Sequence, residues 1–154
     1  MKAEKYTQSL DDLQTDLIVV TLYENERPPR GVGGLIDWRL HGFISRAIQD
    51  GTIRGKADES VLIPLQRKFQ ARRLLVLGLG KREEYDLAKA RVAAYRLGKM
   101  IGQLGSTDVA ISFPPAGDEK LFGETERSVL NAIEQAELPK DIFVRMLDHS
   151  VAEQ

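Results

Sequence analysis

The sequence predicts an α/β chain folded as a three-layer α/β/α sandwich around a mixed sheet, and three observations carry that prediction. Short, almost wholly apolar runs recur along the chain; longer segments with apolar residues at helical spacing separate them; and the length of 154 residues is that of one domain. Aliphatic runs without alternation read as strands buried on both faces, because helices then cover each side of the sheet. The whole of 1–154 is read as a single domain, with no internal repeat, linker or low-complexity segment.

The first run is Leu17-Ile18-Val19-Val20-Thr21-Leu22. From Leu35, the residues Leu35, Ile36, Leu40, Phe43, Ile44, Ala47 and Ile48 form one apolar stripe of a helix that Gly51 stops, while Asp37, Arg39, Arg46 and Asp50 point elsewhere. This reading places His41 inside the helix and leaves Trp38 off its stripe, where a tryptophan often anchors an interface. Val61-Leu62-Ile63 and Leu74-Leu75-Val76-Leu77 are the next strands, the latter running from Arg72. Leu87, Ala90, Ala94, Leu97, Ile101 and Leu104 then advance by three or four residues to Gly105, which gives the clearest helix. Val109-Ala110-Ile111-Ser112-Phe113 makes a fourth inner strand. In the third helix Val129, Leu130, Ile133 and Ala136 face inward, Glu124 and Glu126 sit near its positive end, and Pro139 stands beyond it. Asp141 to Asp148 alternates well enough to be a last strand, with a short helix as the competing assignment.

Composition excludes several function classes. Lys and Arg at 22 against Asp and Glu at 23 give a net charge of -1, so no global field draws nucleic acid or an anionic membrane. Cysteine is absent, which removes disulfides, thiolate nucleophiles and cysteine-bearing metal sites. No apolar stretch suits a signal peptide or a membrane span, and the expected address is the cytoplasm. The two histidines, His41 and His149, lack metal-ligand spacing, and the acid pairs Asp11-Asp12 and Glu83-Glu84 read as solvated. No metal and no cofactor is expected. Lys89, Arg91, Arg96 and Lys99 read as the soluble face of their helix.

Three glycine-bearing segments are candidate ligand contacts. Gly31, Gly33 and Gly34 lie between the first strand and first helix, where N–H groups suit an anion, although a simple turn after Pro28-Pro29 is the favoured reading. Gly78, Gly80 and Lys81 end the strongest strand, at the sheet edge where open α/β folds place ligands. Gly117 lies in the loop Pro114 to Gly123, where Asp118 and Glu119 would repel phosphate and a surface loop is the favoured reading.

The order of Leu17–Leu22, Leu35-Ile36-Asp37 through Phe43-Ile44-Ser45, Gly51-Thr52-Ile53-Arg54-Gly55-Lys56, and Leu74 through Gly78-Leu79-Gly80-Lys81 to Glu83 closely resembles the N-terminal domain of leucine aminopeptidases. The resemblance covers about residues 5 to 113 by pattern and implies a macro-domain-like fold. That family's catalytic domain carries its metal ligands and its Asn-Thr-Asp-Ala-Glu-Gly-Arg-Leu signature, and no such segment occurs here, so no peptidase residue carries over. What the resemblance implies is a stand-alone, non-catalytic interaction or regulatory module, acting as a homo-oligomer or with a separately encoded aminopeptidase. The alternative is a domain for ADP-ribose or a related nucleotide. Where ADP-ribose binders carry an Asn-rich segment after the first core strand, this chain has Thr21-Leu22-Tyr23-Glu24-Asn25-Glu26. With Asp118 and Glu119, these acids predict binding of ADP-ribose no tighter than about millimolar.

Overall fold

The computed structural model describes residues 1–66, 69–139 and 141–153. Six strands form one sheet in the order β1-β6-β5-β2-β4-β3, from β1 (Lys2–Tyr6), β2 (Thr15–Glu24), β3 (Ser60–Pro64), β4 (Ala71–Lys81), β5 (Asp108–Ile111) and β6 (Phe143–Leu147). All neighbours run parallel except β3, which is antiparallel to β4. Helices α1 (Gly31–Arg39) and α2 (Phe43–Gln49) cover one face, over Ile18, Val20, Leu74 and Val76. Helices α3 (Leu87–Leu104) and α4 (Phe122–Glu134) cover the other, over Leu17, Val19, Leu75 and Leu77. Successive residues of β2 and β4 therefore feed two separate cores, which is why both strands read as unbroken aliphatic runs. The three-layer sandwich expected from the sequence is the observed architecture.

Four local features differ from the sequence reading. Strand β1 lacks an apolar signature because Lys2 to Lys5 are exposed; backbone pairing with β6 holds it at the sheet edge. The single helix expected from Leu35 up to Gly51 is two helices. His41 and Gly42 take positive φ values of 57° and 79° between them, so His41 sits in a turn rather than within a helix. Asp37, expected to face away from the core, is buried: its carboxylate accepts from the Ser45 backbone N–H at 2.9 Å and from the Ser45 hydroxyl at 2.5 Å. An acid of α1 thus caps the start of α2, and Gly42 closes the turn by donating to the Asp37 carbonyl at 2.8 Å. Finally, Arg96 is no solvated cation, since its guanidinium is half-buried and donates to the Gly78 carbonyl at 3.1 Å.

Strand β4 ends against the segment 55–57. A Cβ built on Gly78 would lie 1.9 Å from the Lys56 carbonyl oxygen, so only glycine fits there. Gly78 N–H donates to Glu59 at 2.9 Å and Gly80 N–H to Gly55 at 2.9 Å. The two glycine elements quoted from the sequence are therefore one packed unit.

Candidate functional site

The chain leaves β2 on one side of the sheet and returns on the other. The β2-α1-α2-β3-β4 connection passes over one face, and the β4-α3-β5 connection crosses back over the opposite face to the far side of β2. Such a reversal opens a crevice beyond the carboxyl ends of the strands. Here β2 and β5 pair in register only as far as Val19 and Ile111, with one further bond from Ser112 N–H to the Val19 carbonyl at 2.9 Å. Beyond it β2 continues beside β4 alone, and a cleft of about 340 Å³ opens between Thr21 and Tyr23 on one side and Ser112 and Phe113 on the other.

Helix α1 begins in this cleft. Its N-cap residue Arg30 is extended, with φ -118° and ψ 167°, and gives no side-chain cap. The first-turn residues Gly31, Val32 and Gly33 line the cleft at the positive end of the helix, and Arg30 supplies no side-chain cap to their N–H groups. Glu26 secures the approach: its two carboxylate oxygens accept from the backbone N–H groups of Arg30 at 3.0 Å and Tyr23 at 3.4 Å. Burial pushes the Glu26 carboxyl up from its ordinary range, against these hydrogen bonds and the nearby Arg30 and Arg82.

The wall opposite α1 is aromatic. Tyr23 and Tyr85 meet edge to face with ring centroids 5.4 Å apart, and the Arg82 guanidinium lies over Tyr23 at 5.5 Å. Burial pushes the Tyr23 hydroxyl up to about 12 and raises that of Tyr85, which donates to the Pro114 carbonyl at 3.0 Å. Both phenols are thus neutral donors at ordinary pH. The far end is closed by Phe122 and His149, whose rings meet at 5.3 Å. His149 also approaches Asp148 at 3.4 Å through Nδ1.

The expected site residues divide into two sets. Gly31, Gly33 and Gly117 line this cleft. Gly34 instead turns toward the Pro29 carbonyl, and Gly78 and Gly80 lie against residues 55–57. Lys81 lines an adjoining cavity. Asp118 and Glu119, expected to close over the ligand, are exposed and lie outside the cleft lining; Asp118 accepts from Lys120 N–H at 3.0 Å and caps a short 3-10 turn. The loop is pinned by Thr125, whose hydroxyl accepts from Ala116 N–H at 2.9 Å and donates to the Leu121 carbonyl at 2.7 Å. Arg30, Arg82, Tyr85 and Phe122 were not singled out from the sequence, because each gains meaning only beside elements distant along the chain. Among the described residues no three His, Asp or Glu side chains gather as a metal site, and no helix is long and apolar enough to cross a membrane.

The α/β/α sandwich with its crest cleft superposes on solved macrodomains and shares their fold. The macrodomain of Mycobacterium tuberculosis DarG superposes with a TM-score of 0.69, at 16% identity, over 94% of this chain and 96% of that one. The Trypanosoma brucei macrodomain in complex with ADP-ribose superposes at 0.68, at 18% identity, over 94% of this chain and 63% of that one. Within this fold, residues 19–144 match the N-terminal domain of the cytosol aminopeptidase family, and the chain belongs to that family. A probable cytosol aminopeptidase of Pseudomonas syringae pv. tomato is 31% identical over 105 residues, which is 68% of this chain and 21% of the relative. One from Cyanothece is 26% identical over 108 residues, 70% of this chain and 22% of the relative. A tomato leucine aminopeptidase mutant superposes at 0.74, at 13% identity, over 97% of this chain and 32% of that one. The chain spans about a fifth of the length of the curated relatives it matches.

Proposed function

We propose that this domain is a non-catalytic recognition module that holds a phosphate-bearing small molecule in the crest cleft. The observation that carries the reading is the uncapped first turn of α1 facing the same cavity as the Arg30 and Arg82 guanidiniums. Backbone N–H donors and the helix dipole suit an anion, two guanidiniums add charge-assisted donors, and Tyr85, Phe113 and Phe122 offer apolar surface for a ring. Because Asp118 and Glu119 lie outside the cleft, the repulsion expected from the sequence reduces to Glu26. The Trypanosoma brucei macrodomain that shares the fold is in complex with ADP-ribose, which makes it the first probe. Titration calorimetry should give saturable binding tighter than about 1 mM, or about -4.1 kcal/mol, lost in Arg30→Ala/Arg82→Ala. No heat with ADP-ribose, AMP or inorganic phosphate at low salt would overturn the reading.

A second reading, association with another copy or with a separately encoded aminopeptidase, draws support from Trp38 and Phe43, which are 74% and 44% exposed at the α1–α2 corner. Sedimentation of the chain and of Trp38→Glu tests it: a dimer that dissociates in the variant supports it, and a monomer in both removes self-association. In either reading the chain does not hydrolyse aminoacyl amides with added zinc or manganese. Metal-dependent turnover that follows the protein peak through purification would contradict this.

A further inference from the structure

The outer surfaces of α3 and α4, which share one face of the sheet, carry opposite charge. Helix α3 contains Lys89, Arg91, Arg96 and Lys99 and no acid, and apart from Arg96, held at the Gly78 carbonyl, these cations are exposed. Beside it α4 exposes Glu124 and Glu134, with Arg127 as its one cation between them. None of these exposed charges has an ion-pair partner among the described residues. Between Lys89 and Lys99, α3 also exposes Val92 at 68% and Tyr95 at 43%, with the Lys99 ammonium 5.3 Å from the centre of the Tyr95 ring.

The register between the two helices makes these charges self-complementary. Both helices join parallel strands, β4 to β5 and β5 to β6, so they run in the same direction. They meet at Gly98, where a Cβ would come 2.6 Å from the Ala136 Cβ and 3.1 Å from the Ile133 carbonyl oxygen. Lys99 is therefore level with Glu134, and the same distance back along each helix Lys89 is level with Glu124. A two-fold axis in the plane of contact, running along the helices and between them, lays α3 of one copy on α4 of the other, in the same direction and at the same height. Lys89 then faces Glu124 and Lys99 faces Glu134, each twice, while Tyr95 meets Asn131 and Arg127 meets the uncharged Val92. An axis across the helices would instead set α3 on α3, cation on cation. We propose that the α3–α4 layer is an interface between two copies of this chain, paired about the axis that runs along the helices. It lies on the face of the sheet opposite the Trp38 corner and is independent of both readings above. With 18 and 13 residues, the helices are about 27 and 20 Å long and offer about 500 Å² per copy, the size of a weak, reversible dimer.

Sedimentation equilibrium of the full chain over a range of about 5 to 500 μM, at low and at high salt, tests the inference. The wild type should dimerise at low salt and bind itself at least about tenfold more weakly at high salt, because exposed charges are screened. Lys89→Glu/Lys99→Glu and Glu124→Lys/Glu134→Lys should each stay monomeric, since each sets like charges face to face. Mixed in equal amounts the two variants should pair again, because the acidic α3 of one then meets the basic α4 of the other. Thermal melts confirm that both are folded. A wild-type monomer throughout, a dimer that survives in both variants, or a mixture that stays monomeric overturns the proposal. A dimer lost in Trp38→Glu but kept in both charge variants also overturns it, while sustaining association at the α1–α2 corner. A monomer that binds polyglutamate through Lys89 and Lys99 assigns α3 to an acidic segment of another protein and overturns the pairing of copies.

Discussion

The two ends of the parallel strands carry similar residue types in opposite states. At the amino-terminal end, the larger cavity, about 1360 Å³, is lined by Asp16, Arg73, Asp108 and Arg145, and these charges satisfy one another. Arg73 donates to Asp16 at 2.8 Å and to the Ser106 hydroxyl at 2.7 Å, and that hydroxyl donates to Asp16 at 2.6 Å. Arg145 and the Thr15 hydroxyl each donate to Asp108 at 2.8 Å. At the carboxyl-terminal end the cavity is a quarter of that size, yet Arg30 and Arg82 lack ion-pair partners among the described residues and the helix start is uncapped. Under the proposed ligand reading, exposed cations without ion-pair partners, not volume, set the carboxyl-terminal end apart. A satisfied network stabilises the fold, whereas an unsatisfied one is available to a ligand.

The largest expected effect tests the scaffold that both ends share. Leu97 and Ile101 are fully buried on the inner face of α3, so Leu97→Ala or Ile101→Ala should cost about 2 to 5 kcal/mol in denaturant unfolding, against less than about 0.5 for Lys89→Ala. Equal costs on both faces of α3 would show that the helix is wrongly registered and remove the basis for comparing the ends. Next in size is the division of labour at the crest. Arg82→Ala should weaken a phosphate ligand about tenfold yet shift stability by less than about 0.5 kcal/mol. A stability loss larger than this would mean that Arg82 is structural, as Arg73 is.

The acids of the two ends should respond to pH with opposite signs. Burial alone would raise the Asp16 carboxyl, but the bonds from Ser106 and Arg73 hold it below its ordinary 3.8. Its contribution is therefore present above pH 3.8 and is lost as pH falls through the lower folded-state value. Asp16→Asn should cost about 1 kcal/mol at neutral pH and nothing at the acid end, by urea unfolding across pH. Glu26 is the converse. Desolvation holds its carboxyl above the ordinary 4.5, so its ionised form opposes folding at neutral pH, and that penalty fades as pH falls through the raised folded-state value. The smallest effect is at the cleft's one lining acid: Glu26→Gln removes its charge but sets an amide NH2 against one of the two backbone donors, so neutral-pH stability should change by less than about 1 kcal/mol while phosphate binding tightens about two- to threefold. Weaker binding in that variant would show that Glu26 is a ligand contact.

How far the sequence reached depended on how local each signal is. Helix α3 was legible from Leu87 to Gly105 because its apolar stripe and its terminal glycine lie within one stretch; the Asp86 cap was added by the structure. Strand β1 was not, since an exposed edge strand needs no apolar face and its pairing with β6 joins residues about 140 positions apart. The break between α1 and α2 was hidden because the apolar stripe runs on across it, while the decisive interaction is a carboxylate, Asp37, folded back onto Ser45.

The sequence by itself determined the layer architecture and the family, because runs of apolar residues and the spacing of the glycine elements survive in one dimension; that the sheet divides the interior into two cores came from the structure. Of the candidate contacts, Gly31, Gly33 and Gly117 lie in the cleft lining, since a strand-to-helix turn at a sheet edge has a local signature. Only the tertiary structure decided which charges meet there. Arg30 follows β2, Arg82 follows β4 and Phe122 opens α4, so their convergence depends on the strand order, and Asp118 and Glu119 left the cleft because a 3-10 turn points them outward. Charge has no period along a chain; its partners are chosen when the strands are put in order.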